Sequence, residues 1–182
     1  MPAQSPVAAF VKSRIRTIPD FPKPGIQFRD ITTLLKDAEG FQAVIEDFKT
    51  HLKGKPVDVI AGIESRGFIL AGALAAALGK GFVPIRKPGK LPGQTAHQTY
   101  DLEYGKDTLH IHVDAVAPGA NVVLVDDLVA TGGTALAAGA LIRQLGGKVV
   151  EMLFIVDLPE LGGSRKLAAQ FPVYWITEFA GH

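Results

Sequence analysis

The segment Val122–Thr134, VVLVDDLVATGGT, constrains the fold more than any other stretch of the chain. Four apolar residues end in two adjacent carboxylates, Asp126 and Asp127. A loop of small residues follows, then Ala135–Ile142, an apolar stretch suited to a helix. This is a strand–loop–helix unit. The backbone N–H groups of Thr131–Thr134 fall at a helix N-terminus, where unpaired donors and partial positive charge favour a phosphate. Gly132 and Gly133 allow the dihedrals and close approach that such an anion nest requires. Acids just upstream would repel a phosphate unless they serve hydroxyl groups or a bridging metal ion. A ligand with a phosphate at one end and a diol in the middle meets both demands, and ribose 5-phosphate is such a ligand. A plain strand–turn–helix with a polar turn does not require two acids followed by T-G-G-T.

Two familiar phosphate-binding motifs are absent. The Gly-Lys pairs at Gly54, Gly79, Gly89, Gly105 and Gly147 are never followed by Ser or Thr, which excludes an NTPase loop. No G-x-G-x-x-G follows a strand, which excludes a dinucleotide fingerprint.

Composition narrows the class. A chain of 182 residues with 47% apolar residues suits one domain with a substantial core. A net charge of +1 gives no reason to expect a nucleic-acid partner. Without cysteine there are no disulfides or thiolate metal sites. The N-terminus has no signal-peptide pattern, and the longest uncharged apolar stretch, Gly67–Gly79, is too short to span a bilayer. A cytoplasmic protein without membrane contact is expected.

Val7–Ile18 has apolar residues at helical spacing, and Pro19–Gly25 is too proline-rich for helix or central strand. Phe41–Leu52 reads as an amphipathic helix, Val57–Ala61 as a strand, Phe68–Leu78 as an apolar helix and Gly81–Ile85 as a strand. Arg86–Lys106 is long, polar and without clear periodicity. Strands follow at Leu109–Val113, Val122–Val125, Val149–Val156 and Val173–Thr177, with helices at Ala135–Leu145 and, weakly, Arg165–Ala169. Alternating strands and helices predict an α/β fold with a central, mainly parallel sheet flanked by helices. Sites in such sheets lie beyond the carboxyl ends of the strands. Two strand ends carry chemistry: Gly62–Gly67 (GIESRG) and Asp126–Thr134. Met1–Pro6 is expected to be disordered.

VVLVDDLVATGGT resembles the phosphoribosyl-pyrophosphate signature of the type I phosphoribosyltransferase family. With AGIESRGF, IRKPGKLPG, LEYG and DFPKPGIQFRDIT in this sequence, the resemblance is to its adenine phosphoribosyltransferase branch. It implies a single domain over residues 1–182, with a small N-terminal hood near 7–35 and a mobile lid near 86–108. It also implies transfer of the 5-phosphoribosyl group from phosphoribosyl pyrophosphate to adenine, giving AMP and pyrophosphate. Mg²⁺ would be held mainly by substrate, without direct protein ligands, and the protein would be a homodimer.

By the same resemblance, Ala130, Thr131, Gly132, Gly133 and Thr134 would hold the 5′-phosphate, and Asp126 and Asp127 would face the ribose hydroxyls. Glu64, Ser65 and Arg66 would form a pyrophosphate loop, joined by Arg86, Lys87 and Lys90 from the lid. Arg66 would lie near the subunit interface. Glu103 is the candidate for proton exchange with the purine, and Tyr104 would pack over the closed site. Gln27, Phe28 and Arg29 would form the adenine pocket, with Phe28 stacking on the ring. Relatives acting on 6-oxo purines tend to place a lysine after the strand corresponding to Val149–Val156. Asp157 and Leu158 stand there instead, which favours a 6-amino purine. Two alternatives remain at this point: another purine such as xanthine, and a non-catalytic phosphoribosyl-pyrophosphate-binding regulator. His110 and His112 share a strand face that reads as solvated rather than metal-binding, and His51, His97 and His182 have no evident partners. Tyr174 and Trp175 read as packing residues.

Overall fold

The computed structural model describes residues 5–101 and 105–181. In chain order it contains α1 (Ala8–Ser13), β1 (Arg16–Pro19), β2 (Gln27–Asp30), α2 (Thr32–Leu35), α3 (Ala38–His51), β3 (Val59–Ile63), α4 (Arg66–Leu78), β4 (Gly81–Ile85), β5 (Thr95–Asp101) and β6 (Lys106–His112). Then come β7 (Asn121–Val125), β8 (Leu128–Val129), α5 (Gly133–Gln144), β9 (Lys148–Asp157), α6 (Gly163–Ala168) and β10 (Val173–Glu178).

The main sheet runs in the order β10-β9-β7-β3-β4, with every pair parallel, and the short β8 also pairs with β9. Parallel strands need covered faces, and the continuous apolar runs VVLV in β7 and MLFIV in β9 supply both sides. Alternation along the strands divides the core in two. Val123, Val125, Leu153 and Ile155 meet Val11, Phe48, Leu70 and Leu74 from α1, α3 and α4. Val122, Leu124, Met152 and Phe154 meet Leu141 and Ile142 of α5, with Leu109 and Ile111 of β6. The alternating βαβ order makes the helix on each face follow from the strand before it. It also gathers the β3 and β7 carboxyl ends side by side.

Helix α5 sits tight on the sheet at Gly139, where an added Cβ would lie 2.6 Å from Phe171 Cζ and 2.7 Å from Met152 Cε. Helix α4 ends in a left-handed cap at Gly79, φ 63°.

Three sequence expectations need correction. The helical reading of Val7–Ile18 stops at Ser13, because Arg16–Pro19 leaves to form β1 against β2, from Arg16↔Asp30 to Pro19↔Gln27. Ile15 is buried all the same, so apolar spacing persisted past the helix. Arg86–Lys106 is not an aperiodic loop throughout. Thr95–Asp101 pairs antiparallel with Lys106–His112, and a bridge joins Arg86 to His110. Ser5 is buried and donates its hydroxyl to Asp47 Oδ1 at 2.6 Å, against the disorder expected for Met1–Pro6, of which residues 1–4 lie outside the described residues.

The histidines are also better connected than the sequence suggested. His51 stacks on Tyr174 at 3.8 Å and lies 3.1 Å from Glu151 Oε2, which Lys55 also reaches. Tyr174 donates to Asp47 Oδ2 at 2.7 Å, in keeping with a packing role. His97 stacks on His110, which contacts Thr95 Oγ1 at 3.0 Å, and His112 Nε2 meets Pro92 O at 2.8 Å. His182 lies outside the described residues.

Candidate active site

The carboxyl ends of β3 and β7 open into a cavity of about 330 Å³. Its walls include Glu64, Ser65 and Arg66 from the first strand end, and Asp126, Asp127 and Thr134 from the second. Lys87, Tyr100 and Leu109 close it from the segment that follows β4. Both loops singled out in the sequence line this cavity, together with Tyr100 and Leu109, which the sequence reading did not single out. Their signal lay in the β5–β6 pairing, which apolar periodicity did not reveal.

Close backbone approach holds the two loops against each other. Gly67, at the start of α4, packs so near the end of β7 that a Cβ would lie 2.8 Å from Val125 O and 2.9 Å from Asp126 Oδ1. On the far side, Gly163 donates its N–H to Ala130 O at 3.0 Å, and a Cβ there would come within 2.7 Å of Gly132 N and nearer still to Ala130 O. Gly132 has φ 79°, a left-handed conformation that glycine adopts without strain, and its carbonyl accepts from Leu136 N at 2.9 Å. Ala130, Thr131, Gly132, Gly133 and Thr134 thus form a fixed turn at the N-terminus of α5, where the first helical N–H groups lack partners within the helix.

Asp127 is buried, and its Oδ2 lies 2.7 Å from Arg66 Nε. The guanidinium N–H is not aimed at that oxygen, so Oδ2 accepts no hydrogen bond among the described residues. It is an anionic acceptor with unused capacity inside a polar cavity. Asp126 Oδ1 accepts the Asp127 N–H at 2.9 Å. Asp126 keeps some exposed surface, but its carboxyl is crowded by the loop. Lost solvation, then the neighbouring Asp127 charge, raise its pKa well above the usual carboxylate range. Asp126 therefore ionises less readily than an isolated carboxylic acid.

Arg66 also lies over the Phe28 ring, 5.3 Å from its centroid, and Phe28 meets Phe21 edge-on at 5.2 Å. This draws β2 toward the cavity. Gln27 is half-buried beside Phe28, paired with Pro19. Arg29 points elsewhere. It donates to Thr17 Oγ1 and to Ala180 O, both at 2.7 Å, and its guanidinium lies over Phe179. Its side chain braces the N-terminal ribbon to the C-terminal strand end.

Of the remaining cations, Arg86 and Lys87 are already engaged. Glu64 accepts from Arg86 Nε at 3.2 Å and from Lys87 N–H at 3.0 Å. Burial opposes the Glu64 charge, but the Lys87 amide and the Arg86 guanidinium outweigh it and hold its pKa below the ordinary range. Arg86 Nη1 donates to Lys90 O at 3.0 Å, while the Lys90 side chain is exposed. Lys87 pairs with Asp107. Ser65 is exposed and caps α4 without a side-chain hydrogen bond. Glu103 and Tyr104 lie outside the described residues. Among the described residues, no cluster of three or more His, Asp or Glu is placed to hold a metal ion. No helix among them is long and apolar enough to cross a membrane.

A backbone turn at the start of a helix, a diacid and the cations Arg66 and Lys87 thus meet at adjacent parallel strand ends. Residues 31–174 match the phosphoribosyl transferase domain family. A protein named adenine phosphoribosyltransferase from Pelodictyon phaeoclathratiforme is 59% identical over 174 residues, covering 94% of this chain and 98% of that one. The crystal structure of adenine phosphoribosyltransferase from Thermoanaerobacter pseudethanolicus superposes with a TM-score of 0.90 at 49% identity, covering 94% of this chain and 99% of that one. The Saccharomyces cerevisiae enzyme of the same name, solved with an imino-altritol bisphosphate and adenine, gives 0.88 at 42% identity over 92% and 97% of the two chains. The chain belongs to the adenine phosphoribosyltransferase family.

Proposed function

We propose that the protein transfers the 5-phosphoribosyl group of phosphoribosyl pyrophosphate to adenine, giving AMP and pyrophosphate, a purine-salvage reaction. The observation that carries this reading is the pairing of the α5 anion turn with the buried, underused acceptor on Asp127. A 5′-phosphate on Thr131–Thr134 would leave the ribose hydroxyls facing the diacid. Asp127 Oδ2 would accept from one of them, and a hydrogen bond to a charged group contributes ~1.5–3 kcal/mol net. The reduced tendency of Asp126 to ionise limits the repulsion between the diacid and the phosphate. With the sugar held at both ends, C1′ has only a short path between leaving pyrophosphate and incoming base.

Arg66, Arg86, Lys87 and Lys90 are the candidates for binding the departing pyrophosphate, alongside Glu64 and Ser65. As the N9–C1′ bond forms and the C1′–O bond breaks, adenine gives up its N9 proton, and Glu103 is our candidate to receive it. Tyr104 in the same motif would cover the site. Phe28, beside Arg66, is suited to stack on the base, with the Gln27 backbone at its edge. The Arg29 side chain, held by Thr17 and Ala180, would steady the strand that carries Phe28. Mg²⁺ fits as a substrate-borne ion that neutralises the leaving pyrophosphate, since the acids here serve hydroxyls or cations.

A homodimer is supported by α4 and β4, where Ile69 and Phe82 are exposed beside Phe68. A cytoplasmic setting suits a chain without cysteine. The test is a base panel with phosphoribosyl pyrophosphate and magnesium. Pyrophosphate should be released with adenine and not with hypoxanthine or xanthine. Preference for a 6-oxo base would overturn the substrate assignment, and no turnover with any base would leave a binding protein.

A further inference from the structure

Asp107, on β6, is not among the residues assigned above, yet three donors fix its carboxylate. Lys87 Nζ and the Tyr100 hydroxyl, at 3.3 Å, both reach Oδ2, and Thr108 N–H reaches Oδ1 at 2.8 Å. The Tyr100 hydroxyl in turn accepts from Thr134 Oγ1 at 3.2 Å. Lys87, Tyr100 and Thr134 all line the cavity. An oriented anion therefore sits on the cation that the proposed reaction would use for pyrophosphate. One carboxylate oxygen shared by an ammonium and a hydroxyl mimics the contact that a phosphate oxygen would make. Positive charge is scarce here. Arg66 and Lys87 face Glu64, Asp126 and Asp127 around the same space, and Arg66 is already beside Asp127.

We infer that Asp107 is a built-in competitor for pyrophosphate, a positioning residue whose carboxylate occupies Lys87 until the ligand displaces it. The inference rests on the proposed function only in taking pyrophosphate as the anion. Displacement on binding and return on release would weaken the hold on the product. The opposite arrangement is also chemically defined. An ammonium has three donors, so Lys87 can serve both anions at once, and Asp107 would then hold it in place for the ligand.

Calorimetric titration of inorganic pyrophosphate into the full chain separates the two. Asp107→Asn keeps the shape and removes the charge. Its Kd should fall about three- to five-fold, the scale of a partly exposed ion pair, and the gain should shrink at high salt. The gain should vanish when Lys87→Ala is also present. Asp107→Ala should move Kd in the same direction, which guards against a contact peculiar to Asn. An unchanged or higher Kd overturns the inference, as does a gain that persists without Lys87. Turnover of adenine by the parent protein is measured in the same preparation. Its absence counts against the proposed function, whereas turnover without tightening in Asp107→Asn counts against the competitor alone.

Discussion

The turn at Ala130–Thr134 and the β5–β6 hairpin contribute to one cavity but are built by different physics. The turn is backbone, held by the Gly163 N–H on Ala130 O and packed so closely on Gly163 that a Cβ on Gly163 would collide with Ala130 O. The hairpin side of the cavity is formed by side chains, with Lys87, Tyr100, Asp107 and Glu64 held by ion pairs and hydroxyl contacts. Lys87 is about half exposed. The first kind of surface is set when the chain folds. The second can exchange partners without disturbing the fold. A reaction that must grip a sugar firmly and release pyrophosphate quickly needs one of each.

The largest effect should come from breaking the rigid half. Gly163→Ala forces the turn aside, and its overpacking should cost ~1–3 kcal/mol of stability. A displacement near 1 Å should also lower kcat/KM about a hundred-fold. Denaturant melts and steady-state kinetics read the two together. Next is Asp127→Asn, which removes charge from the buried acceptor and leaves the backbone in place. Turnover should drop by about one to two orders of magnitude with an unchanged circular dichroism spectrum, and near-normal kinetics would sink the role given to the diacid. Lys87→Ala strikes the adaptable half. KM for phosphoribosyl pyrophosphate should rise about three- to ten-fold, reduced from the full charged-contact value by exposure, while the thermal midpoint barely moves.

The smallest effect concerns pH. The native fold holds the Asp126 proton more tightly than the unfolded chain does, because its pKa is raised. Its contribution to stability is therefore full below the ordinary carboxylate range and is lost as pH rises through the raised native value. Asp126→Asn should melt above the parent at neutral pH, and the two should converge toward about pH 4. A variant that is less stable at neutral pH would show that the Asp126 charge is well solvated or paired.

The same division explains what could be read from the sequence. The turn and the strands around it were readable because glycine placement, apolar runs and adjacent acids are local signals. β3, α4, β4, β7, α5, β9 and β10 fall within a few residues of their expected positions. The hairpin was hidden because TAHQTYD carries mostly polar side chains, and its pairing with Lys106–His112 is set by backbone register. Tyr100 joins Thr134 across 34 positions, a relation that no spacing rule anticipates. Ile18 misled for a related reason, since an apolar residue at helical spacing serves equally well on a strand. The Arg29 side chain, expected at the base, is engaged by Thr17 and Ala180, the second of which lies 151 positions away.

Strand β8 has only two residues, Leu128 and Val129, yet both pair with β9, against Val156 and Asp157. It spans the gap between the diacid and the anion turn, so neither can slide relative to the other without breaking ladder hydrogen bonds. The interval between them works as a ruler. If the proposed sugar phosphate spans the two ends, selection for chain length in the donor would reside in two backbone pairings rather than in any side chain that touches the ligand.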